Sequence, residues 1–337
     1  MFKNSQLPPP LPAFDTTLPS WSMICRAVQA SADCYDSEAL TRRGAYTPAN
    51  TSKDIKAMIV DDQLVDGSRL IVVSIRGTQF KCLADWSVNK AADPISPVGF
   101  LDDEKNECHS GFLQVAKAMV DQVAAQLQPF QASPAPPSLL FTGHSAGGAV
   151  AAMLYSHMLA ASVTSNLTTL ASRFFQHQLR NFWCTTTFRY IRCHGNGVFL
   201  SFANEGDPVL RLSNAAYVKS LVKLMTASPP SAAAPVPSVK VVRHSRGTRV
   251  IRQALPTVPA TPWEALPLWP TPPAPLTNAG VFILLRNSEN VGSSASYVTP
   301  EELSDVIFGD LVQHTTDAYM RRVKDMAFAA MIGKNVL

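Results

Sequence analysis

A single serine lies between two glycines in residues 139–150, LLFTGHSAGGAV, directly after an apolar run. Its central residues, GHSAG, fit the pattern Gly-x-Ser-x-Gly, in which a serine on a sharp turn between a strand and a helix serves as a nucleophile. Gly143 and Gly147 would let neighbouring backbone approach closely, and the following helix would point free N–H groups at developing negative charge. A serine that only caps the helix is the alternative. We expect Ser145 to be the nucleophile, on a turn that also includes His144.

A nucleophilic serine hydroxyl needs a base, and that base needs a group to orient it. The chain order in hydrolases with this turn is serine, acid, histidine, so both partners should follow Ser145. Asp207 is the preferred acid because it follows GVFLSFAN, at the carboxyl end of a predicted strand. Glu205 is its rival, and an Asp-Pro pair also opens turns. The histidines that follow the acid are His244 and His314, and their spacing alone does not decide between them.

Strands and helices alternate along the chain, which predicts an α/β fold with a parallel or mixed sheet covered by helices. Apolar runs predict strands at 54–62, 69–78, 138–142, 197–204 and 280–286. Helical spacing predicts helices at 21–40, 111–130, 146–160 and one or two within 299–331. Residues 1–20 are a proline-rich lead-in, and 223–279 is a proline-rich insertion in which 239–251 could form a strand. The insertion has too little apolar periodicity for its own core, so we expect a single domain over 1–337.

The composition predicts a folded, soluble chain. Hydrophobic residues make up 46% of the sequence and charged residues 16%, which favours a sizeable core over disorder. A net charge of +4 without a dense Lys/Arg run argues against a nucleic-acid partner. The sequence shows no secretory signal and no apolar run of membrane length, so we expect a cytoplasmic protein without a transmembrane segment. The six cysteines are widely spaced, which predicts mostly reduced, buried thiols, with one or two disulfides as the alternative. The absence of a metal-ligand cluster in the sequence predicts no metal.

Six segments resemble the class-3 lipase family in the family's own order, especially its branch of sn-1-specific diacylglycerol lipases and related fungal lipase-like proteins. They are VVSIRGTQ, ADWSVN, CHSGF, GHSAGGAVA, FANEGDPVLRLS and the run from VFILLR to SDVIFGDLVQHTTDAY. The resemblance covers about residues 21–222 and 280–325. It implies an α/β-hydrolase fold: a mostly parallel central sheet with helices on both faces and a lid-like loop after the strand that carries the oxyanion hole. The chain departs from many members at Ala146, where they have leucine.

The resemblance also assigns roles to residues of this sequence. It implies that His314 is the base, because the family's histidine follows the last strand, and that His244 belongs to the insertion. It implies that the backbone N–H groups of Thr78 and Ala146 form the oxyanion hole. The loop 79–108 takes the position of the lid, and His109 would support it. Apolar residues of this loop would line an acyl site or pack the loop, and they are Phe80, Leu83, Trp86, Val98, Phe100 and Leu101.

The function that the resemblance implies is a serine hydrolase that cleaves carboxylic esters of apolar or fatty acyl groups through an acyl-enzyme, as a lipase or esterase does. It needs no cofactor. Its substrate would be a lipid or another apolar ester, which a membrane or lipid-droplet surface could present. Three alternatives stay open: an acyltransferase or cyclising enzyme with the same triad, a non-catalytic lipase-like binding protein, and a peripheral membrane protein that uses the apolar loop 95–101.

Overall fold

The computed structural model of the chain contains a mixed β-sheet flanked by helices. It describes residues 2–8, 10–36, 45–65, 67–79, 93–103, 105–132, 137–174, 179–182, 198–212, 214–226, 266–288 and 292–333. The helices are α1 (Leu18–Asp33), α2 (Ser110–Leu127), α3 (Ala146–Met158), α4 (Asn166–Phe174), α5 (Ala215–Thr226), α6 (Pro300–Ser304) and α7 (Thr316–Gly333). The strands are β1 (Ala45–Thr47), β2 (Met58–Val65), β3 (Ser68–Ile75), β4 (Pro94–Ile95), β5 (Cys108–His109), β6 (Ser138–Gly143), β7 (Leu179–Phe182), β8 (Val198–Asn204), β9 (Val281–Ser288) and β10 (Gly292–Tyr297).

The described strands form one eight-stranded sheet in the order β1-β2-β3-β6-β7-β8-β9-β10, and β4 pairs with β5 separately. Strands β3, β6, β7, β8 and β9 run parallel to one another. The antiparallel pairs lie at the two edges of the sheet. Parallel neighbours need crossover connections, and helices α2 and α3 lie in two of these connections. The predicted α/β fold with a mostly parallel central sheet is confirmed.

Side chains of the central strands alternate between the two faces of the sheet. Val73 of β3 and Phe141 of β6 pack with residues of α2 and α3 on one face. Val72 and Leu140 pack with residues of α1 and α7 on the other face. Both strands are therefore buried on both sides, which is why each of them has a continuous apolar sequence. The prediction of helices on both faces is confirmed.

The carboxyl ends of the interior strands β3, β6 and β8 lie at the same end of the sheet. Strands β3 and β6 end side by side, with Ile75 opposite Gly143, and β8 runs parallel to them beyond β7. The chain leaves these three strands toward Thr78, Ser145 and Asp207. The topology therefore places the three predicted site segments at the carboxyl ends of the parallel strands, where such sheets usually bind their ligands.

Strands β1, β7 and β10 are not predicted by the sequence patterns. Strand β7 lies between β6 and β8 and completes the parallel order, but its sequence LRNF lacks an apolar run. Strand β10 reads GSSASY and pairs antiparallel with β9 at the edge of the sheet, where one polar face is tolerated. The helix predicted over 21–40 begins at Leu18 and ends at Asp33. The strand predicted at 239–251 lies outside the described residues.

The proline-rich lead-in contacts the described end of the insertion. The side-chain amide of Asn4 donates a hydrogen bond to the carbonyl oxygen of Trp269 at 2.8 Å, and the Trp269 backbone N–H donates to the Asn4 side-chain oxygen at 2.9 Å. Arg211, which follows the predicted acid, donates to the carbonyl oxygen of Pro272. These contacts join both proline-rich segments to the α/β core. The single-domain organisation stays a prediction, because residues 227–265 of the insertion lie outside the described part of the chain.

The cysteines that the structure describes are free thiols. Cys34 and Cys108 are buried, and Cys25 is partly buried. Burial raises the pKa of Cys34 to about 11 and that of Cys108 to about 12, so both stay protonated at neutral pH and are poor nucleophiles. The other cysteines lie outside the described residues: Cys82, Cys184 and Cys193. The described cysteines therefore act as small core residues, in agreement with the prediction of reduced thiols.

Candidate active site

Ser145 lies on a strained turn between β6 and α3. Its φ is 58° and its ψ is −134°, and it is one of two non-glycine residues with positive φ that the structure describes. Such a conformation is costly for a residue with a Cβ and is typical of functional sites. The Ser145 side chain makes no capping hydrogen bond to helix α3. This observation argues against the alternative that the serine is only a helix cap.

Glycine is required at three positions around Ser145, which are Gly77, Gly143 and Gly147, because backbone approaches each of them closely. A Cβ on Gly147 would overlap the carbonyl oxygen of Ile75 at the end of β3. A Cβ on Gly77 would overlap the Tyr35 hydroxyl and lie 3.2 Å from the Ser145 Cβ. The Gly-x-Ser-x-Gly pattern predicts the close approach at Gly143 and Gly147, but not at Gly77. Gly77 brings the segment RGT alongside the nucleophile.

The substitution Gly147→Ala is expected to destabilise the fold by at least about 3 kcal/mol, because the new methyl group would collide with backbone that cannot rotate away. Urea unfolding followed by circular dichroism measures the effect. Gly333→Ala is the matched control, because a Cβ at that helix-terminal position meets no atom within 4 Å. If the Gly147 variant unfolded at the wild-type urea concentration, the close approach of β3 to the turn would be wrong.

Asp207 is fully buried and accepts hydrogen bonds through both carboxylate oxygens. Its Oδ2 accepts from His314 Nδ1 at 2.8 Å and from the Tyr319 hydroxyl at 2.7 Å. Its Oδ1 accepts a hydrogen bond from the Val209 backbone N–H at 2.8 Å, and this bond caps the 3-10 turn Pro208–Arg211 that follows β8. Burial alone would raise the pKa of Asp207, but the nearby His314 and these hydrogen bonds outweigh it, and the pKa is lower than usual. The side chain is therefore a carboxylate that both caps its turn and faces the histidine.

His314 lies at the end of a short 3-10 turn, Leu311–His314, before helix α7. Its side chain is 18% exposed and is hydrogen-bonded to Asp207. A carboxylate only accepts hydrogen bonds, so Nδ1 carries the proton and Nε2 keeps a lone pair. The rings of His314 and His144 are 4.5 Å apart between centroids, which puts the base next to the residue that precedes Ser145. The Ser145 hydroxyl and the His314 ring are both described and form no hydrogen bond with each other, as is often the case before substrate binds.

The rival acid and the rival base have different positions. Glu205 forms an ion pair with Arg286 at 2.9 Å and accepts a hydrogen bond from the Leu7 backbone N–H at 3.0 Å. It therefore fastens the lead-in to β9 and is not bonded to His314. His244 lies outside the described residues.

Tyr319 is the main site residue that the sequence analysis missed. It lies in the first turns of α7, is 1% exposed, and donates its hydroxyl hydrogen to Asp207. Burial and the charge of Asp207 raise the pKa of Tyr319 well above its usual value, so the hydroxyl keeps its proton. The Asn204 backbone N–H donates to the Tyr319 oxygen at 3.2 Å. Its position five residues after the predicted base is the sequence signal that could have pointed to it.

Thr78 and Ala146, the residues predicted for the oxyanion hole, flank the nucleophile. Ala146 is buried and begins α3, where the first N–H groups of a helix have no partner within the helix. Thr78 is partly buried and follows Gly77, which touches the Ser145 turn. Ala146 adjoins Ser145 in the chain, and a Cβ on Gly77, the neighbour of Thr78, would lie 3.2 Å from the Ser145 Cβ, so the oxyanion-hole role of both residues stays a prediction.

The predicted lid loop, 79–108, is described at residue 79 and over 93–103 and 105–108. Phe100 is buried, and its ring stacks on the His157 ring at 4.2 Å, while His157 Nδ1 and the Phe100 carbonyl oxygen are 2.8 Å apart. Leu101 is also in the core between α2 and α3, whereas Val98 is exposed. Burial of Phe100 and Leu101 favours loop packing over an acyl contact. The other predicted acyl-site residues lie outside the described part: Phe80, Leu83 and Trp86.

His109 has a structural position. It is fully buried, accepts a hydrogen bond from the Phe112 backbone N–H at 3.4 Å, and caps helix α2. Its ring also stacks on Phe112 with 3.9 Å between centroids. These contacts agree with the expectation that His109 supports the loop before it and is not a base.

The described ranges contain neither a metal-binding cluster nor a helix that could cross a membrane. No three or more His, Cys, Asp or Glu side chains there are grouped so that they could hold a metal ion. No described helix combines the length and the apolar character needed to cross a membrane.

Residues 72–217 match the family model described as Lipase (class 3). The match covers 146 of the 337 residues, so this part of the chain is similar to class-3 lipases. The resemblance inferred from the motifs is thereby confirmed for the part of the chain that runs from β3 to the first residues of α5. The matched segment contains Thr78, Ser145 and Asp207, whereas His314 follows it. The assignment of His314 therefore depends on its hydrogen bond to Asp207 and not on the match.

Solved lipase structures resemble the chain at low identity. A triacylglycerol lipase from Penicillium expansum is 13% identical, with 85% of this chain and 86% of that chain covered and a TM-score of 0.48. A Rhizomucor miehei lipase in its propeptide complex is 13% identical, with 89% and 80% covered and a TM-score of 0.47. A mono- and diacylglycerol lipase from Aspergillus oryzae is 16% identical, with 59% and 75% covered and a TM-score of 0.38. The comparison with curated proteins gave no match.

Proposed function

We propose that the protein hydrolyses carboxylic esters of apolar or fatty acyl groups through an acyl-enzyme. The observation that carries the proposal is the 2.8 Å hydrogen bond from His314 Nδ1 to the buried carboxylate of Asp207. This pair lies at the carboxyl ends of the parallel strands, as does the strained turn of Ser145. The class-3 lipase match supports ester hydrolysis as the type of reaction. His314 and Asp207 are 107 residues apart in the chain, so chance is a poor explanation for their hydrogen bond.

In this mechanism the Ser145 oxygen attacks the ester carbonyl while His314 Nε2 accepts the serine proton. Asp207 keeps the proton on Nδ1 and stabilises the imidazolium that forms. The backbone N–H groups of Thr78 and Ala146 donate to the oxyanion, and each such donor is typically worth about 3 kcal/mol of barrier. His314 then protonates the leaving alcohol. A water molecule, deprotonated by His314, attacks the acyl-enzyme and releases the acid.

The proposed substrate class rests on the family resemblance and on the small apolar residue that follows the nucleophile. Ala146 replaces the larger leucine that the family resemblance leads one to expect, which leaves more room beside Ser145. Helix α3, which begins at Ala146, carries no Asp, Glu, Lys or Arg side chain. A neutral, apolar acyl chain fits such a site better than a charged one.

Turnover of p-nitrophenyl butyrate and p-nitrophenyl palmitate, together with labelling by a fluorophosphonate, tests this function. We expect labelling of the serine and hydrolysis of at least one of the two esters, and their ratio measures the preferred chain length. A protein that labels but releases p-nitrophenol only when an alcohol is added would be an acyltransferase and would overturn the hydrolase proposal. A protein that neither labels nor hydrolyses would be a lipase-like binding protein.

A further inference from the structure

We propose that His144 and Tyr35 are positioning residues that hold the backbone of the catalytic histidine, His314. The inference rests on the proposed function, since it concerns the same reaction. It adds a second support to the base: Asp207 holds the imidazole ring, and His144 holds the main chain of the same residue.

The contact between His144 and His314 is direct. His144 Nε2 lies 2.7 Å from the His314 carbonyl oxygen, and the two rings are tilted by 35° with 4.5 Å between centroids. His144 is itself buried, and it is the residue immediately before the nucleophile. One side chain of the nucleophile turn therefore fixes the distance between that turn and the loop that carries the base.

The protonation of His144 is determined by its partners. Burial, reinforced by the nearby His314, lowers the pKa of His144 to about 3, so its ring is neutral at neutral pH and carries one N–H. A carbonyl oxygen only accepts hydrogen bonds, so the hydrogen lies on Nε2. His144 Nδ1 is then an acceptor, and the Tyr35 hydroxyl lies 3.3 Å from it. A hydroxyl that donates to Nδ1 favours the tautomer with the hydrogen on Nε2, and the same hydroxyl also lies 3.5 Å from the His144 carbonyl oxygen.

Tyr35 connects this pair to helix α1. It follows the end of that helix, and its hydroxyl occupies the space above Gly77 that a side chain would otherwise fill. The result is a continuous contact path from α1 through Tyr35 and His144 to the His314 carbonyl. The path runs next to Ser145 without using the serine hydroxyl.

The loop of His314 depends on such contacts because its apolar residues are not buried. Leu311 and Val312 are 56% and 64% exposed, so they contribute little packing. The Asn204 side-chain amide donates a hydrogen bond to the Gln313 carbonyl oxygen at 2.7 Å. The next carbonyl along the chain is that of His314, and it is the one that His144 contacts. Loss of the His144 donor would let the His314 backbone shift, and a shift of about 1 Å in a catalytic group is enough to slow a reaction strongly.

Steady-state kinetics and labelling rates of three variants test the inference. In His144→Phe the donor is lost, and we expect kcat and the fluorophosphonate labelling rate to fall about tenfold with little change in KM. In His144→Gln the amide N–H can still reach the carbonyl, so most of the loss should be rescued. Tyr35→Phe keeps the ring but not the hydroxyl, and we expect an intermediate loss. His157→Phe is the matched control, because it removes another buried histidine with two hydrogen bonds, at 2.8 and 2.7 Å, away from the nucleophile.

Thermal melts distinguish positioning from a general loss of stability. We expect the His144 and His157 phenylalanine variants to lose similar stability, while kcat falls only in the first. Wild-type kcat in both His144→Phe and Tyr35→Phe would overturn the inference. A His144→Gln variant as inactive as Ser145→Ala would also overturn it, since His144 would then be the base. If the wild type neither hydrolysed nor labelled, the proposed function itself would be wrong.

Discussion

Ser145→Ala is expected to lower kcat for p-nitrophenyl butyrate by about 10⁶-fold, as removal of a catalytic serine does in other serine hydrolases. The reason is chemical: without the hydroxyl no acyl-enzyme can form, and only water attack within the binding site remains. Such a factor corresponds to about 8 kcal/mol of transition-state stabilisation. Fluorophosphonate labelling should disappear in parallel, because the same oxygen attacks both reagents.

The same variant separates the two interpretations of the serine. A capping serine contributes about 1 kcal/mol to stability when it bonds the helix N-terminus. Since the Ser145 side chain makes no capping bond, alanine should leave the free energy of unfolding nearly unchanged. Ser156→Ala, on the same helix, is the control and should retain full turnover. Loss of stability without loss of turnover would mean that Ser145 is a cap and that the nucleophile is elsewhere.

The parts of the fold and site that the sequence predicts are those determined by local patterns. Strands β3 and β6 are buried on both faces, so their apolar runs are unbroken and easy to recognise. The Ser145 turn is recognisable because its glycines are required by close backbone contacts within a few residues. Asp207 is predicted because it directly follows a buried strand, where parallel sheets place their functional loops.

The parts that the sequence does not predict depend on contacts between distant segments. His314 is separated from Asp207 by 107 residues, and nothing in their spacing favours it over His244. The Tyr319 hydroxyl reaches Asp207 only because α7 packs across the sheet beside α1. Strand β7 is too polar and β10 too serine-rich to give a strand pattern, so each is evident only from its pairing. Phe100 shows a further difficulty: the sequence gives its apolar character but not whether it faces substrate or core.

Asp207→Asn is expected to lower kcat by about 10⁴-fold while leaving the fold intact, because the loss of an orienting carboxylate has this effect in serine hydrolases. The asparagine amide can donate to His314 Nδ1, which would move the ring proton to Nε2 and remove the lone pair that must accept the serine proton. The Tyr319 hydroxyl could still donate to the asparagine oxygen. Kinetics with p-nitrophenyl butyrate at neutral pH measure the loss. Glu205→Gln is the matched control: it removes a carboxylate two residues away that pairs with Arg286, so it should lower stability and preserve kcat.

The pH dependence of stability gives a second readout for Asp207. Because its pKa is lowered in the folded state, its contribution to stability is full above the ordinary aspartate pKa of about 3.9 and is lost as the pH falls through the lower folded value. We expect urea unfolding of the wild type to become easier with acidification in this window, and Asp207→Asn to lack that part of the dependence. If Glu205→Gln abolished turnover while Asp207→Asn preserved it, the acid would be Glu205. The hydrogen bond between His314 and Asp207 would then be a structural contact without a catalytic role.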